Sequence, residues 1–253
     1  MRWEPDRYEQ FKEERYAPFN DLVSLITVRP GLRVVDLGCG TGELTARLSG
    51  LLPESDVLGI DSSAEMLERA REHTSPGLRF EIGRVEDLRG EWDIVFSHAV
   101  IQWVEDHPRL VPQLLSLVAP GGRLAVQLPS NFRHPTHVLY AETAGEEPFR
   151  TALGGWTRTW PTLAIEEYAD LLYAAGAEEI TVFEKVYPHI LADADALADW
   201  MMGTALVPYR ERLSEELYAR FIERYREKLR ARYPSTPVFF GFRRTIFAAT
   251  RPG

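Results

Sequence analysis

The segment Val34-Val35-Asp36-Leu37-Gly38-Cys39-Gly40-Thr41-Gly42 constrains this chain more than any other. Its apolar, β-branched start reads as a buried strand. Three glycines in five positions then make a turn in which backbone can take positive φ and a ligand can approach closely. After the turn, Leu44, Leu48, Leu51 and Leu52 fall at i, i+4, i+7 and i+8, which predicts a helix with one apolar face. Strand, glycine turn and helix in that order open a βαβ unit, and a parallel sheet is the architecture such units build.

The rest of the chain agrees. Apolar runs predict strands at Arg33 to Leu37, Asp56 to Ile60, Arg79 to Ile82, Trp92 to Ser97 and Arg123 to Leu128, and later at Glu179 to Tyr187 and Arg243 to Ala249. Helical spacing separates them, so the fold class is α/β, a doubly wound and mostly parallel sheet. Ser62 with Glu65 reads as a capping box, and Pro120-Gly121-Gly122 as the end of a helix begun near Pro108. Some 30 residues separate strands five and six, and more than 50 separate six and seven, so these stretches carry structure of their own. Leu213, Leu217, Phe221, Tyr225 and Leu229 recur every fourth residue and predict a long amphipathic helix. The expected layout is one domain over 1–253. It comprises an N-terminal helical segment at 1–30, a cofactor-binding core at 31–128, substrate-side insertions at 129–242 around the sixth strand, and a last strand at 243–253. The N-terminal segment and the insertions are expected to cap the sheet.

Composition removes several function classes. The 253 residues carry 38 acidic and 29 basic side chains, a net charge of −9, whereas nucleic-acid binders present a basic face. Cys39 is the one cysteine, so there is no internal disulfide and no thiolate metal cluster; no metal is expected. No apolar stretch reaches the roughly 18 residues of a membrane span, and the N-terminus lacks a signal-peptide pattern. The expectation is a soluble, cytoplasmic and monomeric protein acting on a small molecule.

The turn selects the ligand. Nineteen positions after Gly42 the second strand ends in Asp61, an acid placed to accept hydrogen bonds from both ribose hydroxyls of an adenosine-containing cofactor. A dinucleotide turn reads G-x-G-x-x-G, and a phosphate loop ends in Gly-Lys-Ser/Thr. This one reads G-x-G-x-G, with Asp36 two residues ahead. A carboxylate there favours a cation over a diphosphate, and S-adenosylmethionine, which carries an ammonium and a sulfonium and no phosphate, fits. Cys39 has no histidine near it in sequence and reads as a space-filler.

These residues closely resemble the class I S-adenosylmethionine-dependent methyltransferases. Asp36 to Gly42, Gly59 to Ser63, and the Pro-Gly-Gly before strand five carry the likeness. Segments spanning nearly the whole chain, among them Ile101 to His107, Leu124 to Asn131, Pro135 to Leu139 and Phe247 to Arg251, are similar to the trans-aconitate 2-methyltransferases in particular. The resemblance implies seven strands, the last antiparallel between five and six. It implies that Gly38, Cys39, Gly40 and Gly42 wrap the cofactor, with Asp36 behind them and Asp61 and Ser62 at the ribose. It also implies that Ser97 and His98 face the sulfonium, and that S-adenosylhomocysteine is the product.

One position departs from the class. Where an Asp commonly meets adenine, this chain has Gly83-Arg84-Val85-Glu86-Asp87, and arginine cannot accept a hydrogen bond. Glu86 or Asp87 then takes that role, with the Val85 amide at the ring. His98 is either a substrate hydrogen-bonder or a structural cap, and Trp103 is a second candidate near the methyl. A carboxylate acceptor is ionised at neutral pH and needs no base, but a polycarboxylate needs donors. Trp3, Tyr8, Arg15, Trp103, His137, Tyr209, Arg210, Arg243 and Arg244 are the candidates. The alternatives are methyl transfer to a malonyl carrier protein or to another small molecule, with Arg224 to Arg232 as a docking face, and a cofactor-binding protein without turnover.

Overall fold

The computed structural model describes residues 13–253, with side chains from Tyr16 onward. Trp3 and Tyr8 lie outside the described residues, as does the side chain of Arg15. All seven expected strands form: β1 Arg33–Leu37, β2 Asp56–Asp61, β3 Leu78–Ile82, β4 Trp92–His98, β5 Val118–Pro129, β6 Glu178–Leu191 and β7 Val238–Thr250. They make one sheet in the order β3-β2-β1-β4-β5-β7-β6. β1 runs parallel to β2 and β4, and β4 parallel to β5. β7 is antiparallel to β5, with Gln127 opposite Ile246 and Pro129 opposite Arg244. This is the strand order expected of a class I methyltransferase.

The chain divides into two compact units. One contains Glu13–Ser130, Pro161–Lys185 and Arg243–Gly253; the other contains, among the described residues, Asn131–Trp160 and Val186–Phe242. In the first, side chains alternate across the sheet, so Val35, Leu37, Val95, Leu124 and Val126 share one face. They pack there with Leu110, Leu114, Tyr168 and Leu172, which belong to α4 (His107–Ser116) and α7 (Ile165–Ala174). Phe96 points the other way and meets Phe19 of α1 (Glu13–Val23) edge-on at 5.8 Å. His107, at the start of α4, is fully buried. Its ring nitrogens meet Tyr168 Oη at 2.6 Å and the Ile101 carbonyl at 2.8 Å, which ties α7 to the loop after β4.

The second unit is helical and aromatic. It holds α5 (Pro135–Ala144), the single-turn α6 (Phe149–Ala152), α8 (Ala194–Met202), α9 (Val207–Arg212) and α10 (Glu215–Arg232). Of the expected stripe, Phe221, Tyr225 and Leu229 are buried on α10, each contributing roughly 1.5–3 kcal/mol of apolar transfer; Leu217 is half-buried, and Leu213 precedes the helix and caps the end of α9. Tyr209 and Phe221 stack at 5.1 Å in the middle of this cluster.

Three local expectations are corrected. In α2 (Glu43–Leu51) the buried residues are Thr45 and Leu48, while Leu51 is 44% exposed, because the helix stops there and Leu52 turns inward in its place. The cap of α3 (Ala64–Ala70) is Ser63, whose Oγ accepts from Met66 N at 3.3 Å. Asp61 fixes that choice by accepting from Ser63 N, and Ser62 stays exposed. Pro120-Gly121-Gly122 does not end α4, which stops at Ser116. It lies inside β5, where Trp92 pairs with Val118 and Ile94 with Arg123, so the tripeptide forms an irregularity in the ladder.

Candidate functional site

β1 delivers Asp36 to the base of the glycine turn because strand periodicity puts it beside Gly59 of β2 and Phe96 of β4, deep in the sheet. Its carboxylate is buried and accepts from Thr45 Oγ1 at 2.6 Å. Burial raises its pKa to about 7; the Thr45 bond opposes that rise and the nearby Asp61 charge adds to it. Asp61 closes β2 and reaches back to the turn. One of its oxygens accepts from Gly40 N at 3.0 Å and the other from Ser63 N at 2.8 Å. A carboxylate has about four acceptor sites, so each oxygen keeps capacity for a further donor.

The glycines divide the labour. A Cβ on Gly42 would lie 2.9 Å from the Ala70 backbone and from Phe80, so that position is glycine for packing. Gly40 is different: its φ is +56° and a Cβ there would meet nothing within 4 Å. The open space therefore lies over Gly40, beside the carboxylate of Asp61. Cys39 packs with Leu67, Ala70 and Phe80. Burial, and then the Asp36 and Asp61 charges, push its thiol far above the ordinary range, so it is no nucleophile.

After β3, Val85 is buried and starts a short 3₁₀ turn through Asp87. Glu86 is half-buried and paired with Arg84 at 2.8 Å. Burial alone would raise its pKa, but the Arg84 hydrogen bond and charge outweigh it and hold the carboxylate ionised. Gln113 Nε2 donates to the Glu86 carbonyl at 2.8 Å and fixes the turn. Asp87 lies further out, exposed, 3.9 Å from Arg84.

At the end of β4, Ser97 is fully enclosed, and its Oγ has no hydrogen-bond partner among the described residues. His98 is half-buried on the opposite face, with the Phe19 ring edge-on at 6.0 Å. Its cross-strand neighbour is Gln127 of β5. One end of the Gln127 amide faces Arg244 Nη1 at 3.0 Å and Leu128 N–H at 3.1 Å; the other faces His98 Nε2 at 3.2 Å. Trp103 ends the 3₁₀ turn Ile101–Trp103 and is half-buried.

The remaining candidates separate. Arg244 is buried beside Gln127. Arg243, one residue earlier and on the other face of β7, pairs with Glu184 at 3.3 Å. Arg210 is exposed on α9. His137 and Tyr209 are interior to the helical unit. Burial, with the His134 and Arg158 charges adding to it, lowers the His137 pKa to about 3, so the ring is neutral. Tyr209 Oη accepts from Arg158 N at 3.1 Å and shares a hydrogen bond with Thr157 Oγ1 at 3.0 Å. Arg158, which sequence reasoning passed over, lays its guanidinium 3.8 Å from the Trp160 ring centre. Gln127 was passed over too; a polar residue inside the apolar run Leu124 to Leu128 was its signal.

Among the described residues no His, Cys, Asp or Glu cluster of three or more has metal-site geometry, and no helix is long and apolar enough to cross a membrane. The space over Gly40 has the Asp61 carboxylate beside it and no phosphate loop, which leaves room for a nucleoside without phosphates. On this strand order, that combination defines the S-adenosylmethionine-dependent methyltransferase class.

Comparison with known proteins carries this to the family. A family model described as a methyltransferase domain matches residues 29–163. Trans-aconitate 2-methyltransferase of Deinococcus radiodurans is 49% identical, covering 100% of this chain and 99% of its own. The enzyme of the same name from Rhizobium meliloti is 38% identical over 99% of both chains. Among solved structures, the YcgJ protein of Bacillus subtilis superposes with a TM-score of 0.63 at 15% identity, over 94% of this chain and 99% of its own. The last likeness speaks to the fold alone. This chain belongs to the trans-aconitate 2-methyltransferase family.

Proposed function

We propose that the protein transfers the methyl group of S-adenosylmethionine to one carboxylate of trans-aconitate, giving a monomethyl ester and S-adenosylhomocysteine. The observation that carries this reading is the end-to-end likeness, at 49% identity, to an enzyme of that name. Asp61 would hold the ribose hydroxyls with the acceptor capacity left beside Gly40 and Ser63. Asp36 would support the turn from beneath through its bond to Thr45, and Glu86 with the Val85 amide would meet the adenine.

When bound, the cofactor supplies an electrophilic methyl on a sulfonium. Forming the ester would join an acceptor carboxylate oxygen to that methyl as its bond to sulfur is lost, so that both charges would disappear together. The acceptor is already ionised, because a free carboxylate has a pKa near 4. No base is required of the protein. His107 is committed at both nitrogens, His137 is buried and neutral, and the Cys39 thiol stays protonated. What remains is alignment at roughly 3 to 3.5 Å and exclusion of water, which favour a transition state less polar than its reactants.

A carrier-protein acceptor would call for a basic docking face. On α10 four of the five candidates are paired with carboxylates instead: Arg224 with Glu146 and Glu227, Arg226 with Asp195 and Asp199, Lys228 with Glu142 and Glu146, and Arg230 with Asp195 and Glu223; Arg232 lies over the Tyr233 ring. A small free acid suits this surface better.

The test is transfer of labelled methyl to trans-aconitate, cis-aconitate, citrate and acetate. Trans-aconitate should give a monomethyl ester, and acetate should be a far poorer acceptor. No transfer to any polycarboxylate by cofactor-loaded protein would overturn the substrate and leave the class standing.

A further inference from the structure

Gln127 sits where its two ends can be told apart. Leu128 N–H and the Arg244 guanidinium are both obligatory donors; Leu128 N–H faces one end of the amide at 3.1 Å, and Arg244 Nη1 lies nearer that end, at 3.0 Å, than the other, at 3.3 Å. That end is therefore the oxygen. The other end, 3.2 Å from His98 Nε2, is then the NH₂ group, and it can only donate. His98 Nε2 must offer a lone pair to receive it, which places the ring proton on Nδ1.

The strand register builds this chain of contacts. His98 and Gln127 are direct partners across β4 and β5. Arg244 lies two residues before the Ile246 that opposes Gln127, so it shares a face with the amide as its diagonal neighbour. Arg244 is 5% exposed and Gln127 is fully buried, so the orientation is held inside the sheet edge and not by solvent. An arginine within a strand of aromatic and alanine residues is costly unless it does such work.

We propose that Gln127, oriented by Arg244, is a positioning residue that fixes His98 as the Nδ1–H tautomer, so that His98 donates a hydrogen bond to the acceptor carboxylate and does not act as a base. The donor clause rests on the function proposed above; the tautomer clause does not. It bears on the two roles open to His98 in the sequence: the ring is held through Nε2, and Nδ1 carries the proton. It also reassigns Arg244 from substrate clamp to the support of that donor.

Nitrogen NMR of histidine-labelled protein loaded with S-adenosylhomocysteine tests the tautomer without any acceptor, with His98 assigned by the signals lost in His98→Asn. The expected spectrum has a pyridine-type Nε2 and a pyrrole-type Nδ1; a pyrrole-type Nε2 would overturn the proposal. Gln127→Glu keeps the acceptor for Arg244 and Leu128 but removes the donor to His98, and it should convert Nε2 to an N–H. In that variant kcat/KM for trans-aconitate should fall at least tenfold, mainly through KM, with S-adenosylhomocysteine affinity within twofold of the parent. An unchanged His98 spectrum in Gln127→Glu would overturn the positioning role. If Gln127→Glu does not fold, the parent spectrum and two His98 variants decide. Asparagine places an N–H near the position of Nδ1, so His98→Asn should keep kcat/KM within tenfold, whereas His98→Ala should lose about a hundredfold. Equal loss in both would overturn the donor. A parent enzyme that turns over no carboxylic acid overturns the proposed function and leaves the tautomer to the spectrum.

Discussion

The glycine turn after β1 and the aromatic interior of the helical unit treat polar groups in opposite ways. At the turn, Asp36 and Asp61 are gripped by a hydroxyl and two backbone amides, and the acceptor capacity of Asp61 faces open space over Gly40. Around Tyr209, three tyrosine hydroxyls are taken up by their neighbours. Trp160 Nε1 donates to Tyr140 Oη at 3.0 Å, Tyr225 Oη donates to the Thr136 carbonyl at 3.0 Å, and Tyr209 Oη takes up Thr157 and the Arg158 amide. Unspent hydrogen-bonding capacity marks a surface built for a ligand, and closed pairs mark a core built for stability. Substitutions in the two regions should therefore be read out by different assays.

The largest effect is expected at Asp61. Alanine there removes a charged acceptor for two ribose hydroxyls, roughly 1.5–3 kcal/mol for each bond. Calorimetry should show S-adenosylhomocysteine binding weakened by two orders of magnitude or more, with the thermal midpoint of the ligand-free protein changed far less. Equal affinity in parent and variant would remove Asp61 from the cofactor site.

The complementary experiment is Phe221→Ala. Phe221 is fully buried and contacts Tyr209 and Phe149, so its truncation should cost about 3–5 kcal/mol in denaturant unfolding. Affinity for S-adenosylhomocysteine, measured where the variant is folded, should stay near that of the parent. A selective loss of cofactor binding would dissolve the contrast between the two regions.

Asp36 tests the turn from the side of stability. Its pKa rises from 3.8 to about 7 on folding, so between those values the folded chain binds more protons than the unfolded one. The stabilisation from this group is full below pH 4 and is lost as pH rises through 7, on the order of 4 kcal/mol. The stability difference between Asp36→Asn and the parent should accordingly change across that window and be level above it. A difference independent of pH would mean that Asp36 is not protonated by burial.

The smallest effect belongs to the surface of α10. Arg224→Ala breaks exposed pairs with Glu146 and Glu227, and solvent screening leaves such pairs with little net effect. Stability and methyl transfer should both be nearly unchanged.

Legibility of the sequence follows the same division. Strand positions were readable because a parallel sheet buries both faces and leaves continuous apolar runs such as Val34 to Leu37 and Ile94 to Phe96. Asp36, Gly40 and Asp61 were readable because β1, the turn after it and the end of β2 carry them within some 25 residues of sequence. The cap at Ser63 was missed by one position because Asp61 holds its amide, a contact with no signature in spacing. Arg244 was singled out, but its partner Gln127 lies 117 positions away, and only the antiparallel return of β7 brings the two together. Arg158 and Tyr209, 51 positions apart, share a hydrogen bond for the same reason: the long insertions fold back on themselves with no repeat to announce it.

The central claim is methyl transfer to an oxygen that is already ionised, with His98 a donor and not a base. It is tested most directly by the single-turnover rate of ester formation on trans-aconitate as a function of pH, at saturating cofactor and acceptor. The rate should be nearly flat between about pH 6 and 8.5, because no group need lose a proton to activate the nucleophile. A rate that climbs tenfold per pH unit through that range would contradict the account and place a base, with His98 the first candidate, in the reaction.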